Sequence, residues 1–98
     1  MSRQLLELIF EPAPGSEPET DAVLHAARER AARAGWHCWA YRNELRASEL
    51  VLFLEGPAAE PGEPPAPLFG DEIAELRRLS RRFETVRSLI EHPLDGAP

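Results

Sequence analysis

The sequence predicts an α+β, ferredoxin-like fold: a four-stranded antiparallel sheet with two helices on one face. Three observations predict it. Apolar residues recur with the period of a strand in four stretches and with the period of a helix in two. The stretches follow the order β-α-β-β-α-β, the split βαβ plan. The two most apolar strands are the first and third, which that plan puts in the middle of the sheet. Right-handed crossovers then put both helices on the same face.

Each element has its own signal. RQLLELIFE (3–11) reads as the first strand, with Leu6, Leu8 and Phe10 on one face and Leu5, Glu7, Ile9 and Glu11 on the other. PAPGSEP is a turn, and Ser16 with Glu19 has the spacing of a capping box. Residues 17–34 form an alanine-rich helix whose stripe is Leu24, Ala27, Ala31 and Ala34, and Gly35 is a natural stop. WHCWAYR (36–42) is a strand by its aromatic content and its alternation. NELRAS connects it to a third strand, ELVLFLE (49–55), which is apolar on both faces. Residues 56–70 hold five prolines and read as an irregular loop. A second helix is expected from Asp71, with Ile73, Leu76, Leu79 and Phe83 at helical spacing. ETVRSLI (84–90) is the fourth strand, and residues 91–98 are expected to be a flexible tail.

Bulk properties narrow the function classes. Ninety-eight residues make one domain, expected over 1–90, with a single modest core. The net charge of −6 argues against broad binding to nucleic acid or to anionic membranes. The longest apolar run, Leu50 to Leu54, is too short to span a bilayer, and Glu7 interrupts any signal-peptide core. A cytoplasmic location is the expectation. The one cysteine, Cys38, excludes an internal disulfide and any multi-cysteine metal site. His25, His37 and His92 are not at ligand spacing, and no phosphate loop or nucleophile elbow is present, so neither a metal nor a cofactor is expected.

Alternation carries the functional expectation. If Trp36, Cys38 and Ala40 face the helices, then His37, Trp39 and Tyr41 emerge on the uncovered face. The same parity adds Glu7, Ile9, Val51, Phe53, Arg87 and Leu89. Glu7, His37, Trp39, Tyr41, Phe53 and Arg87 are the candidate ligand-binding or dimer-face residues, and Glu7 in its aromatic surround is a candidate base. A face this apolar invites burial. A second copy packed sheet to sheet is one cover, a small molecule held between two copies is another, and a single-stranded RNA platform is disfavoured by the acidic balance.

Charge is unevenly placed along the chain. Residues 11–27 hold four acids and no arginine, and residues 55–76 hold six acids and no arginine. If the first and third strands run parallel, both stretches gather at one end of the molecule, while the arginines late in each helix, Arg81 and Arg82 included, gather at the other. Complementarity to the helix dipoles explains most of this pattern.

The chain resembles the dimeric α/β barrel group that includes the antibiotic-biosynthesis-monooxygenase-like proteins. The resemblance rests on LLELIF ending near PAPG, on the alanine-rich helix closing with AGWH, on ELVLFLEG, and on a final helix feeding ETVRSLI. It implies two sheets facing each other around pockets, some of them catalytic without metal or cofactor and others binding haem. The chain departs from the pattern after the third strand, where it reads LEGPAAEPG. No catalytic residue of the group is carried over. Two functions follow as expectations: a small homodimeric binding or structural module with an aromatic open face and a small apolar or aromatic ligand, or a compact monooxygenase-like enzyme with its pocket on that face.

Overall fold

The computed structural model describes residues 3–58 and 66–92. The order is β1 (Arg3–Pro12), α1 (Glu17–Ala34), β2 (His37–Arg42), β3 (Leu50–Pro57), α2 (Ala66–Leu79) and β4 (Ser80–Ile90). The four strands form one antiparallel sheet in the order β2-β3-β1-β4, with β1 and β3 central. This is the ferredoxin-like plan the alternation predicts.

The core lies between the sheet and the helices. Leu6, Leu8 and Phe10 of β1 and Leu50, Leu52 and Leu54 of β3 point into it, meeting Ala27 and Ala31 of α1 and Phe69 and Leu76 of α2. The small side chains of α1 let its axis lie close to the sheet. Ala34 of the expected stripe is exposed, because the stripe drifts off the sheet in the last turn. Trp36 closes the core at the edge, edge-on to Phe69 with ring centroids 5.4 Å apart. Gly56 makes room for it: a Cβ at that position would overlap the indole ring.

Several expectations are corrected. The capping box does not form. Ser16 Oγ lies 2.7 Å from the Ala13 carbonyl and 3.0 Å from the Leu79 carbonyl, so it ties the start of α1 to the end of α2. α2 begins at Ala66, not Asp71, and bends at Phe69. It stops at Leu79, so Phe83, Arg81 and Arg82 belong to β4 and not to the helix. Residues 59–65 of the expected proline loop, and residues 93–98 of the expected tail, lie outside the described residues.

The expected charge poles are also corrected, because β1 and β3 run antiparallel. Glu55 therefore sits at the opposite end of the sheet from Glu11. α1 and α2 run in opposite senses, and the acidic start of one meets the basic end of the other. Arg30, late in α1, holds Glu72, early in α2, at 2.7 Å. Among the described residues, acids and bases therefore share each end of the helical layer, and the expected poles do not separate there. Among the described residues, no helix is long and apolar enough to cross a membrane.

Candidate functional site

The uncovered face of the sheet is built of three transverse rows. Strand register places Trp39, Phe53, Glu7 and Arg87 side by side across all four strands. On one side of that row stand His37, Glu55, Leu5 and Leu89, and on the other Tyr41, Val51, Ile9 and Glu84. All six residues singled out by alternation thus share one face, and four of them share one row. Strands about 4.8 Å apart make the row roughly 14 Å long.

Parity along β4 needs a correction that periodicity alone does not supply. A bulge at Val86 shifts the register between the Glu7–Arg87 and Leu8–Thr85 pairs. Beyond it Glu84, and not Phe83, reaches the open face. Phe83 turns to the helix side, 6.3 Å from the ring of Phe10 and 5.0 Å beneath the Arg77 guanidinium.

The polar and aromatic groups on the open face are mutually engaged. Glu7 is paired with Arg87, Oε1 to Nε 2.8 Å, so it is committed to an ion pair rather than standing free as a base. Arg3 and Glu55 form a second pair at 2.8 Å. His37 stacks on Trp39 at 5.2 Å between centroids, and Tyr41 meets Phe53 edge-on at 5.8 Å. Trp39 and Tyr41 nevertheless remain 43% and 56% exposed. A shallow depression of about 430 Å³ lies among Leu5, Trp39, Tyr41, Phe53 and Glu55.

A second concavity lies on the opposite side of the edge strand, between α1 and β2. This groove measures about 510 Å³. Leu24, Ala40 and Leu52 form its apolar floor, and Asp21, His25 and Arg28 stand along its helical wall at successive turns. Cys38 lies within it. Burial pushes the Cys38 thiol above its usual range, although the charge of Arg28 pulls the other way. Sequence reasoning placed Cys38 and Ala40 on this side but missed the groove. The signal was there: Asp21, His25 and Arg28 follow the i, i+4, i+7 spacing of one helix face.

No family model matches the sequence, and no curated protein does. Solved structures match over nearly the whole chain. A protein from Mycobacterium tuberculosis has a TM-score of 0.64 at 22% identity, covering 98% of this chain and 99% of that one. An antibiotic biosynthesis monooxygenase-like protein from Bordetella bronchiseptica has a TM-score of 0.63 at 15% identity, covering 96% and 99%. SnoaB, a cofactor-independent oxygenase from Streptomyces nogalater, in a mutant form, has a TM-score of 0.62 at 18% identity, covering 98% and 97%. The chain has the antibiotic biosynthesis monooxygenase-like fold. At these identities the likeness is one of fold. In this chain the groove and the open face share the edge strand β2, and Trp39 and Tyr41 line both concavities.

Proposed function

We propose that this chain is a small-molecule oxygenase of the monooxygenase-like type. It acts on an aromatic, hydroxyl-bearing molecule held in the α1–β2 groove, and it works as a homodimer closed through the open sheet face. The groove carries the reading. It combines an apolar floor with a small set of charged groups on one wall, the composition of a small-molecule site. The fold shared with a cofactor-independent oxygenase supports the same reading.

The chemistry follows from the lining. Among the described residues, Arg28 has no carboxylate within ion-pair distance. Its charge favours the deprotonated form of a phenolic or enolic oxygen placed beside it. His25, one turn earlier, is the proton acceptor. The ring rests on Leu24 and Leu52. A deprotonated, electron-rich ring system with an adjacent methylene supplies all four electrons that dioxygen takes up. The methylene becomes a carbonyl with one oxygen atom, and the other leaves as water.

Oxygen uptake tests this. The wild-type protein is mixed with a panel of polycyclic phenols, and oxygen consumption is followed. His25→Gln and Arg28→Gln are each expected to cut turnover about 100-fold with the fold intact. No uptake with any member of the panel, or uptake unchanged in both variants, removes the reading.

A second reading, a binding or structural module, is favoured by the exposed aromatic rows. In that case aromatic compounds quench Trp39 fluorescence while oxygen uptake stays at the background rate.

A further inference from the structure

We propose that the cleft where β1 passes into α1 is a second small-molecule site, built for a small zwitterion of the free α-amino acid class. The cleft measures about 110 Å³ and shares only Asp21 with the α1–β2 groove. Its charged groups are Glu17, Asp21 and Arg42, its hydroxyls are Thr20 and Ser48, and Pro12 and Leu50 supply the apolar wall.

Thr20 is the first observation. The residue is 1% exposed, and its Oγ1 is buried without a hydrogen-bond partner among the described residues. Buried hydroxyls nearly always find one. A helical threonine can turn its hydroxyl to the carbonyl four residues back. Here the Ser16 carbonyl accepts only the Thr20 backbone N–H, at 2.9 Å. Thr20 lines the cleft, and its hydroxyl lies buried behind that wall with its hydrogen-bonding capacity unspent.

The charges are the second observation, and they are independent of the first. Among the described residues, neither Arg42 nor Glu17 nor Asp21 has an ion-pair partner. Arg42 gives one N–H to the Ala47 carbonyl. A guanidinium has five donors in a planar fork, so a face suited to a carboxylate remains. Opposite charges that line one small cleft without meeting leave room for a molecule that carries both. A simple anion would face two carboxylates, and a simple cation would leave Arg42 unmatched. A carboxylate on Arg42 with an ammonium against Glu17 and Asp21 satisfies all three. Ser48 Oγ donates to Glu11 Oε1 at 3.2 Å, which leaves its lone pairs to accept from an ammonium.

Size narrows the class. A cavity of about 150 Å³ admits one benzene ring, and this cleft measures about 110 Å³. Glycine, alanine and serine suit this volume, whereas a phenyl side chain does not.

The test is binding to the full chain, followed by amide and guanidinium NMR shifts. Glycine, L-alanine and L-serine are the probes, with acetate, methylammonium and L-phenylalanine as controls. Saturable shifts are expected at Thr20, Asp21, Arg42 and Ser48 with L-alanine, about tenfold weaker binding with acetate or methylammonium alone, and none with L-phenylalanine. Arg42→Gln and Thr20→Val should each weaken L-alanine binding about tenfold, with thermal melting as the check on folding. Arg42 is exposed, so its variant keeps the test open if Thr20→Val does not fold. Acetate binding as well as L-alanine, shifts confined to other residues, or an ordered water cluster with no saturation by any probe would each overturn the proposal. Oxygen uptake plays no part in this readout, so its outcome is separate from that of the proposed oxygenase activity.

Discussion

Gly56 and Trp36 act as one unit. The indole fills the space above the glycine and seals the core against Phe69. Gly56→Ala is therefore expected to lower stability by about 1–3 kcal/mol, the usual cost of forcing extra volume into a packed core. Thermal unfolding measures it, and a neutral effect would mean that the ring has another place to go. Glu11 is a second such point. Its side chain is nearly buried, held by Arg46 at 2.8 Å, by Arg81 at 3.2 Å and by a hydrogen bond from Ser48. Burial pushes the carboxyl up, but the Arg81 hydrogen bond, the Arg46 charge and the Ser48 hydroxyl outweigh it and hold it below the usual 4.5. The group binds its proton more readily in the unfolded chain, so its contribution is complete above pH about 4.5 and is lost as pH falls through the depressed value. Wild-type melting temperature should drop in that acid window, and Glu11→Gln should flatten the drop. Cys38 gives a third expectation. Its raised pKa and partial burial predict slow alkylation at neutral pH. The alkylation rate should rise steeply only as pH passes 9, and an occupant of the α1–β2 groove should slow it further.

Between elements, polar contacts set the angles that packing leaves loose. Ser16 joins the first turn of α1 to the last carbonyl of α2, a link between residues 63 apart in the chain. Ser16→Ala removes it and leaves the Leu79 carbonyl with the Ala13 N–H, at 2.9 Å, as its remaining partner. A loss of about 1 kcal/mol is expected in urea unfolding, typical of a single hydrogen bond. Arg30 and Glu72 clamp the two helices at 2.7 Å, but Arg30 is partly exposed, so salt should weaken this contact more than it weakens the core. The bulge at Val86 matters more for shape. It allows Arg87 and Leu89 to face outward while Phe83 packs inward on the same strand.

For the whole molecule, the proposed assembly turns on the uncovered sheet face. Three rows carry aromatics and aliphatics around one central ion pair. The proposed homodimer buries them, with Trp39 and Tyr41 as anchors. Sedimentation should show twice the chain mass for wild type and a monomer for a Trp39→Glu, Tyr41→Glu double variant that retains its helical signal. A wild-type monomer at micromolar concentration would remove the assembly. If dimerisation and oxygen uptake are lost together in the double variant, the open face and the groove are coupled through β2, the strand they share.

The alternation of apolar side chains determined which elements form, their order, and which residues face away from the helices. A period of two is a local property of a strand, so Glu7, Trp39 and Phe53 could be assigned to one face without knowing their neighbours. The tertiary structure alone decided what those residues meet. Pairing Glu7 with Arg87, and ranking four side chains into one row, depends on register across strands far apart in sequence. The end of α2 at Leu79 and the bulge at Val86 depend on where β4 finds its partners on β1, because Phe83 fits helical spacing and strand alternation equally well. The antiparallel course of β1 and β3 separates Glu11 from Glu55, which a linear reading gathers at one end, since the placement of like charges follows chain direction in space. The groove between α1 and β2, and the cleft around Thr20, exist only because a helix face and a strand edge are brought together. Neither surface contains enough of the site to announce it in the sequence.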